Sequence, residues 1–231
     1  MNNYTRSLLT LTLLFSGLQL AQAKDELSND KQKIGYSIGV SMSNNLKPFV
    51  ADIDFDAFIS GLRDQYKGNK LKMTEEEIQA SIQKMQQTMA SRQMAEQKKI
   101  ADNNAALGTK FLAANKKKTG VKTTKSGLQY KVIKSGKGAT PKTTDTVTTH
   151  YRGTLIDGSE FDSSYSRGKP ASFPVNGVIK GWTEALQLMK VGDKWELYIP
   201  SELAYGANGP SPKIGPNATL VFEIELLSID S

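Results

Sequence analysis

The sequence predicts an α+β protein with an all-α N-terminal domain, a long connecting helix, and a C-terminal antiparallel sheet wrapped on a short helix. Three patterns carry that expectation. Between 31 and about 89 apolar residues recur every three to four positions, the spacing of one helical face. No Pro or Gly interrupts 74–107, a stretch long enough for one continuous helix. From Leu128 onward apolar residues alternate with polar ones and breakers such as Gly136, Gly138 and Pro141 intervene, the pattern of strands and turns.

The first 23 residues stand apart. Arg6 is their only charged side chain, Leu8 to Leu20 is an apolar run, and Ala21-Gln22-Ala23 is a small-x-small cleavage site, so 1–23 reads as a secretory signal peptide. The apolar run is short for a membrane span, and Lys24-Asp25-Glu26 follows at once. Cleavage would remove one positive charge and take the net charge from +7 to +6. With no cysteine, disulfides, thiol nucleophiles, thiolate metal sites and a lipid-modified cysteine are excluded, so the exported protein is expected to be soluble. The single histidine, His150, leaves no multi-histidine metal site and reads as a surface strand residue. No metal or cofactor is expected.

In the helical part, Ile34, Ile38, Met42 and Leu46 fall four apart, with Gly35 and Gly39 beside them as small residues for close packing; Lys47-Pro48 ends this helix. Asp54 is placed to N-cap a second helix with Phe55, Phe58, Ile59, Leu62 and Tyr66 on one face, closed by Gly68. Thr74 and Glu77 have the spacing of a capping box for a third helix reaching about Asn115. Such a helix is roughly 60 Å long, too long to be packed throughout. Its stripe Ile78, Ile82, Met85 and Met89 should pack, and the polar 91–104 should be a solvated stalk. Residues 24–90 make a small core, and domains of that size often rely on a second chain, so a homodimer through these helices is expected. Met42, Met73, Met85, Met89 and Met94 suit that packing, or a client-binding surface, as adaptable side chains.

Residues 91–118 form the connecting helix and the start of a hinge rich in Lys, Thr and Gly that runs to Gly127; 119–231 form the sheet domain. Leu128-Tyr130-Val132, Val147-Thr149-Tyr151, Trp195-Leu197-Ile199 and Leu220-Phe222-Ile224-Leu226 alternate as inward faces. After Val178-Ile179-Lys180-Gly181, the residues Trp182, Ala185, Leu186 and Met189 fall at i, i+3, i+4 and i+7, one apolar face of a two-turn helix that Gly192 stops. A helix that short is marginal alone and must lie on the sheet. The basic cluster Lys98-Lys99, Lys110, Lys116-Lys117-Lys118, Lys122 and Lys125 carries no nucleic-acid motif and reads as a solvated face, so no nucleic-acid partner is expected.

Several aromatics reach one side of the sheet by parity: Tyr151, Trp195 and Phe222, with Phe161 and Phe173 nearby and Trp182 on the helix. An apolar concavity and a well-filled core are both compatible with them. The polar groups near them in sequence are Asp162 and the hydroxyls of Tyr151 and Tyr205.

The ordered motifs Gly127-Leu128-Gln129-Tyr130, Tyr151-Arg152-Gly153, Gly158 with Phe161-Asp162-Ser163, Val178 to Trp182, Ala204-Tyr205-Gly206 and Thr219 to Phe222 resemble the FKBP family of peptidyl-prolyl cis–trans isomerases. The signal peptide, helical domain and long helix resemble the macrophage infectivity potentiator (Mip) group, homodimeric envelope isomerases of Gram-negative bacteria. The resemblance implies an exported enzyme of the periplasm or outer-membrane surface acting on proline-containing polypeptides, with macrolide inhibitors of the family as further ligands. It implies a pocket of Tyr151, Phe161, Asp162, Phe173, Val178, Ile179, Trp182, Tyr205, Ile214 and Phe222. Trp182 would be its floor, and the Ile179 N–H and Tyr205 hydroxyl would bond substrate carbonyls. Asp162 would orient Tyr151, act electrostatically on the twisted carbonyl, or simply anchor a strand end. Where well-known eukaryotic members have His and Glu, this chain has Pro210 and Gly177. A holdase chaperone, in which the pocket only captures proline segments, and a host-protein-binding virulence factor are the alternative readings.

Overall fold

A computed structural model describes residues 27–49 and 52–230. The expected signal peptide and its cleavage site lie outside the described residues. The chain divides into two compact units, 1–78 and 79–231, and the division falls inside its longest helix.

In the first unit, α1 (Asp30–Leu46) begins at Asn29, whose side chain accepts from the Gln32 N–H while the Gln32 side chain returns to the Asn29 N–H. This capping box satisfies donors that the first turn leaves without helical partners. A 3₁₀ turn, Lys47–Phe49, follows where Pro48 was expected to stop the helix. Helix α2 (Phe55–Lys67) starts at the Asp54 cap and ends at Gly68, as read from the sequence. Thr74 and Glu77 form the expected capping box at the head of α3 (Glu75–Asn115). The apolar faces of this unit remain open: Ile34, Tyr36, Ile38, Phe55 and Tyr66 are each more than half exposed. Close packing at Gly35 and Gly39 is not made by the described residues, none of which lies within 4 Å of a Cβ built on either. Among the described residues nothing covers them. The stripe expected to pack on α3 is only partly covered: Ile78, Met85 and Met89 are half-buried and Ile82 is exposed.

The second unit is a seven-stranded antiparallel sheet: β1 (Val121–Thr123), β2 (Gln129–Lys134), β3 (Thr146–Leu155), β4 (Glu160–Ser163), β5 (Ala171–Pro174), β6 (Lys194–Ile199) and β7 (Leu220–Asp230). Their order is β1-β2-β6-β7-β3-β4, with β5 beside β4 on the free edge of β3. Register puts Tyr151, Ile224, Trp195 and Val132 in one cross-strand row, and Gly153, Phe222, Leu197 and Tyr130 in the next. Paired residues share a face, so these rows form the inner surface. Helix α4 (Lys180–Leu186) lies on it and ends before the expected stop at Gly192; Trp182, Ala185 and Leu186 of the helix and Met189 just beyond it are buried in one core with Leu197, Leu220, Ile224 and Leu226.

Two expectations change here. The Lys/Thr/Gly segment read as a hinge contains β1, which pairs with β2, because Val121 and Thr123 meet Lys131 and Gln129 in register. The last turns of α3, in the segment read as connecting helix and hinge, also pack on the sheet. Phe111 packs on Tyr198 at 6.0 Å, Asn115 Nδ2 donates to Gln129 Oε1 at 3.0 Å, and Gln129 Nε2 donates to the Leu112 carbonyl at 3.0 Å. Asn115 and Gln129 are buried, and this exchange supplies bonds that buried amides need.

Candidate active site

On the inner face, between α4, β4, β5 and the loop after β6, is a cavity of about 700 Å³. Its base is Trp182, 4% exposed. Tyr151, Phe173 and Phe222 stand at 83°, 84° and 83° to the indole plane, with centroids 5.2, 5.8 and 5.2 Å away, so the indole is a floor and these rings are walls. Phe161 extends the wall by an edge contact to Phe222 at 5.4 Å. Edge-to-face geometry is the favoured arrangement of such rings and fixes the cavity's shape. Room for it depends on Gly153, where a Cβ would lie 2.6 Å from Phe161 and 2.7 Å from Phe222.

The rim is polar. Asp162, on β4 opposite Gly153 of β3, accepts from the Tyr151 hydroxyl at 2.6 Å. Arg167 completes a ring of three: its Nη1 donates to Asp162, its Nη2 donates to the Tyr151 hydroxyl at 2.7 Å, and its guanidinium lies 5.4 Å from the centre of the Tyr151 ring. Arg167 is carried by the excursion between β4 and β5, which Ser164 pins to β3. The Ser164 Oγ accepts from the Tyr151 N–H at 2.7 Å, and the Ser164 N–H donates to the Tyr151 carbonyl at 2.9 Å.

Burial would raise the pKa of Asp162, but the Tyr151 hydroxyl and the Arg167 guanidinium outweigh it and hold the carboxyl below the usual carboxylate range. Tyr151 is shifted upward, first by burial and then by its bond to the Asp162 carboxylate, against the opposing pull of Arg167. Tyr205 is raised by burial and by the Asp162 charge.

Two donors at the rim are unused. The Ile179 carbonyl accepts from Trp182 and Thr183 at the start of α4, whereas its N–H makes no hydrogen bond among the described residues. The Tyr205 hydroxyl likewise has no hydrogen-bond partner among them, and its side chain is 40% exposed at the cavity mouth.

The chain's 137–227 segment matches the family model described as FKBP-type peptidyl-prolyl cis-trans isomerase, and 31–132 matches the domain amino terminal to it. The chain belongs to the FKBP-type peptidyl-prolyl cis–trans isomerases. Within that family this isomerase is of the Mip group. It is 46% identical to the outer membrane protein MIP of Legionella longbeachae over 94% of this chain and 93% of that one. It is 43% identical to the peptidyl-prolyl cis-trans isomerase Mip of Coxiella burnetii, over 96% and 97%. The crystal structure of FkpA from Escherichia coli superposes with a TM-score of 0.74 at 41% identity, covering 89% of this chain and 99% of that one.

All ten residues expected in the pocket line the isomerase's cavity, together with Gly177, Pro210 and Ser211. Trp195, grouped with them by parity, does face inward, but it stacks on Tyr130 at 4.4 Å and fills core instead. His150 lies outside the lining and stacks on Tyr165 at 4.6 Å. Arg167 was missed. It sits in a turn without periodicity, and the only signal available was a cation five residues after Asp162.

Proposed function

We propose that this cavity is where the isomerase acts, and that it accelerates X-Pro rotation in exported or surface proteins by desolvation and preferential binding of the twisted amide. Rotation about the peptide bond costs about 18–20 kcal/mol because resonance is lost. The twisted state has a less polarised carbonyl than either planar form, so a site that strips water from that carbonyl favours it over the ground state. The single observation that carries the reading is the box of Tyr151, Phe173 and Phe222 standing edge-on over Trp182, an apolar surface for a proline ring, with the unused Ile179 N–H and Tyr205 hydroxyl at its rim. Those two donors hold the flanking substrate carbonyls. Asp162, fixed by Tyr151 and Arg167, places a negative charge beside the twisted carbonyl carbon. Macrolide ligands of the family would compete for the same box.

The helical unit is assigned to homodimerisation. Its support is a groove of about 480 Å³ lined by Tyr36, Val40, Met42, Leu46, Phe55 and Phe58, apolar and uncovered among the described residues. The same groove supports a second reading, capture of unfolded clients as a holdase. For export, the support is the sequence of 1–23 and the name of the Legionella relative, an outer membrane protein; no helix of the described residues is long and apolar enough to cross a membrane.

The test is the cis-to-trans rate of a short X-Pro peptide with wild-type enzyme and with Trp182→Ala and Tyr205→Ala. Acceleration by wild type that both variants lose supports the cavity. Equal acceleration by folded variants would place the reaction elsewhere.

A further inference from the structure

The loop between Tyr205 and Thr219 has two working sides. One faces the cavity with Tyr205, Pro210, Ser211 and Ile214. The loop is closed on itself: the Asn217 N–H donates to the Gly206 carbonyl at 2.7 Å, and the Ile214 N–H donates to the Ser211 carbonyl at 3.1 Å. It has no other regular structure apart from the Ser211–Ile214 bridge.

The other side rests on α3. Asn104 Nδ2 donates to the Pro216 carbonyl at 2.8 Å, across 112 residues of sequence. A Cβ on Gly215 would lie 3.0 Å from that same Nδ2 and 3.3 Å from Ile100 Cγ2. One turn further along, Gly108 makes space for Thr219, whose Oγ1 would be 2.3 Å from a Cβ there. Ile100, Asn104 and Gly108 are four apart and so share one helical face. That face is shaped for the loop: a donor for a partly buried prolyl carbonyl, with a gap for a threonine beside it. The polar face that the sequence suggested was solvated is therefore in part a seat.

We infer that Asn104 is a positioning residue, through which α3 holds the 206–219 loop in place as a wall of the cavity and so sets which residues flanking proline are preferred. This rests on the cavity being the substrate site. A loop of this length without strands or helices has many conformations to lose, and ordering it before substrate arrives spares that cost on binding. The Pro216 carbonyl is the anchor, and the tip with Pro210 and Ile214 is what it steadies.

The experiment uses the full-length protein with Asn104→Ala, Gly108→Ala and the pair Gly108→Ala/Thr219→Ala. Amide exchange is followed by mass spectrometry. Isomerisation is measured, with kcat and KM separated, on four-residue peptides that differ only in the residue before proline. Losing one hydrogen bond should speed exchange of the Ile214 and Asn217 amides by roughly three- to ten-fold, with the Phe222 and Ile224 amides of β7 unchanged. The kcat/KM loss should fall mainly on KM and unevenly across peptides, narrowing the spread between best and worst substrates. Gly108→Ala should act in the same direction, and adding Thr219→Ala should recover part of the loss by removing the colliding Oγ1. Unchanged loop exchange overturns the proposal. So does faster exchange with the same fractional loss on every peptide, because a merely structural contact gives that result. If Tyr205→Ala leaves wild-type rates and preferences untouched, the cavity reading fails instead and the specificity claim fails with it, while the exchange data still decide whether Asn104 holds the loop.

Discussion

The Tyr151 hydroxyl donates to Asp162 at 2.6 Å while accepting from Arg167 at 2.7 Å, so neither the phenol nor the carboxylate can turn without breaking a bond to the guanidinium. This fixes a negative charge at the cavity rim and one of its aromatic walls together. Arg167→Lys should therefore act on catalysis although Arg167 is not in the lining. A lysine keeps the charge but loses the fork that reaches both partners. We expect Asp162→Leu to lower kcat/KM on an X-Pro peptide by on the order of ten-fold, and Arg167→Lys by a smaller factor in the same direction. Circular dichroism confirms that each variant is folded, and full activity in folded Asp162→Leu would leave that carboxylate only an anchoring role.

The pH behaviour follows from the directions of the shifts. Asp162 is held below the ordinary carboxylate value, so whatever stability it contributes is present above about pH 4 and is lost as pH falls through its lowered folded value. With its side chain 44% exposed, that contribution is screened and small. Tyr151 and Tyr205 are both raised above 10.0. No group lining the cavity thus changes charge between about pH 5 and about pH 9. The kcat/KM profile on a peptide without ionisable side chains should be flat across that range, and an inflexion near neutrality would point to a titrating group the cavity does not contain.

Gly153 stands where β3 passes beneath Phe161 and Phe222, and a methyl group there meets both rings. Overpacking of this kind costs about 1–3 kcal/mol, so Gly153→Ala should lower the thermal midpoint of the sheet domain and also weaken peptide binding as the rings are pushed inward. Calorimetry and KM measured together check both parts. A stable variant with unaltered KM would mean that the two rings relax away from the cavity at little cost.

What was legible in the sequence was whatever repeats with a period. Trp182, Ala185, Leu186 and Met189 declared a short helix and its buried face by spacing alone, and the alternation of Leu220, Phe222, Ile224 and Leu226 declared a strand. The ten lining residues came from ordered motifs that resemble one family, since parity by itself did not separate a pocket from a filled core. The rest was illegible for a physical reason. Arg167, Asn104, Gly108 and Asn115 act through one or two polar bonds or through missing side chains, and neither leaves a hydrophobic period. The polar run 91–104 looked like a stalk because a helix face made for hydrogen bonds resembles a face made for water.

That correction changes where the sheet domain can be cut. A fragment 119–231 removes Phe111 from Tyr198, and it takes away Asn115 and the Leu112 carbonyl, the partners of the buried Gln129 side chain. A fragment 98–231 keeps all of these and the Asn104 contact to Pro216. Both should be monomeric, since the open apolar faces of α1 and α2 are absent from each. The longer one should melt higher, because an unsatisfied buried amide costs about 1–3 kcal/mol. On short peptides the longer fragment should match the full-length isomerase, because the reacting bond meets only the cavity. On proline-limited refolding of a large client it should fall behind, since a dimer offers two cavities to one chain at raised effective concentration. Sedimentation, melting and the two rate assays run in parallel separate these steps. A fragment 98–231 that sediments as a dimer, or that equals the full-length protein on the large client, would remove dimerisation and client handling from the helical unit.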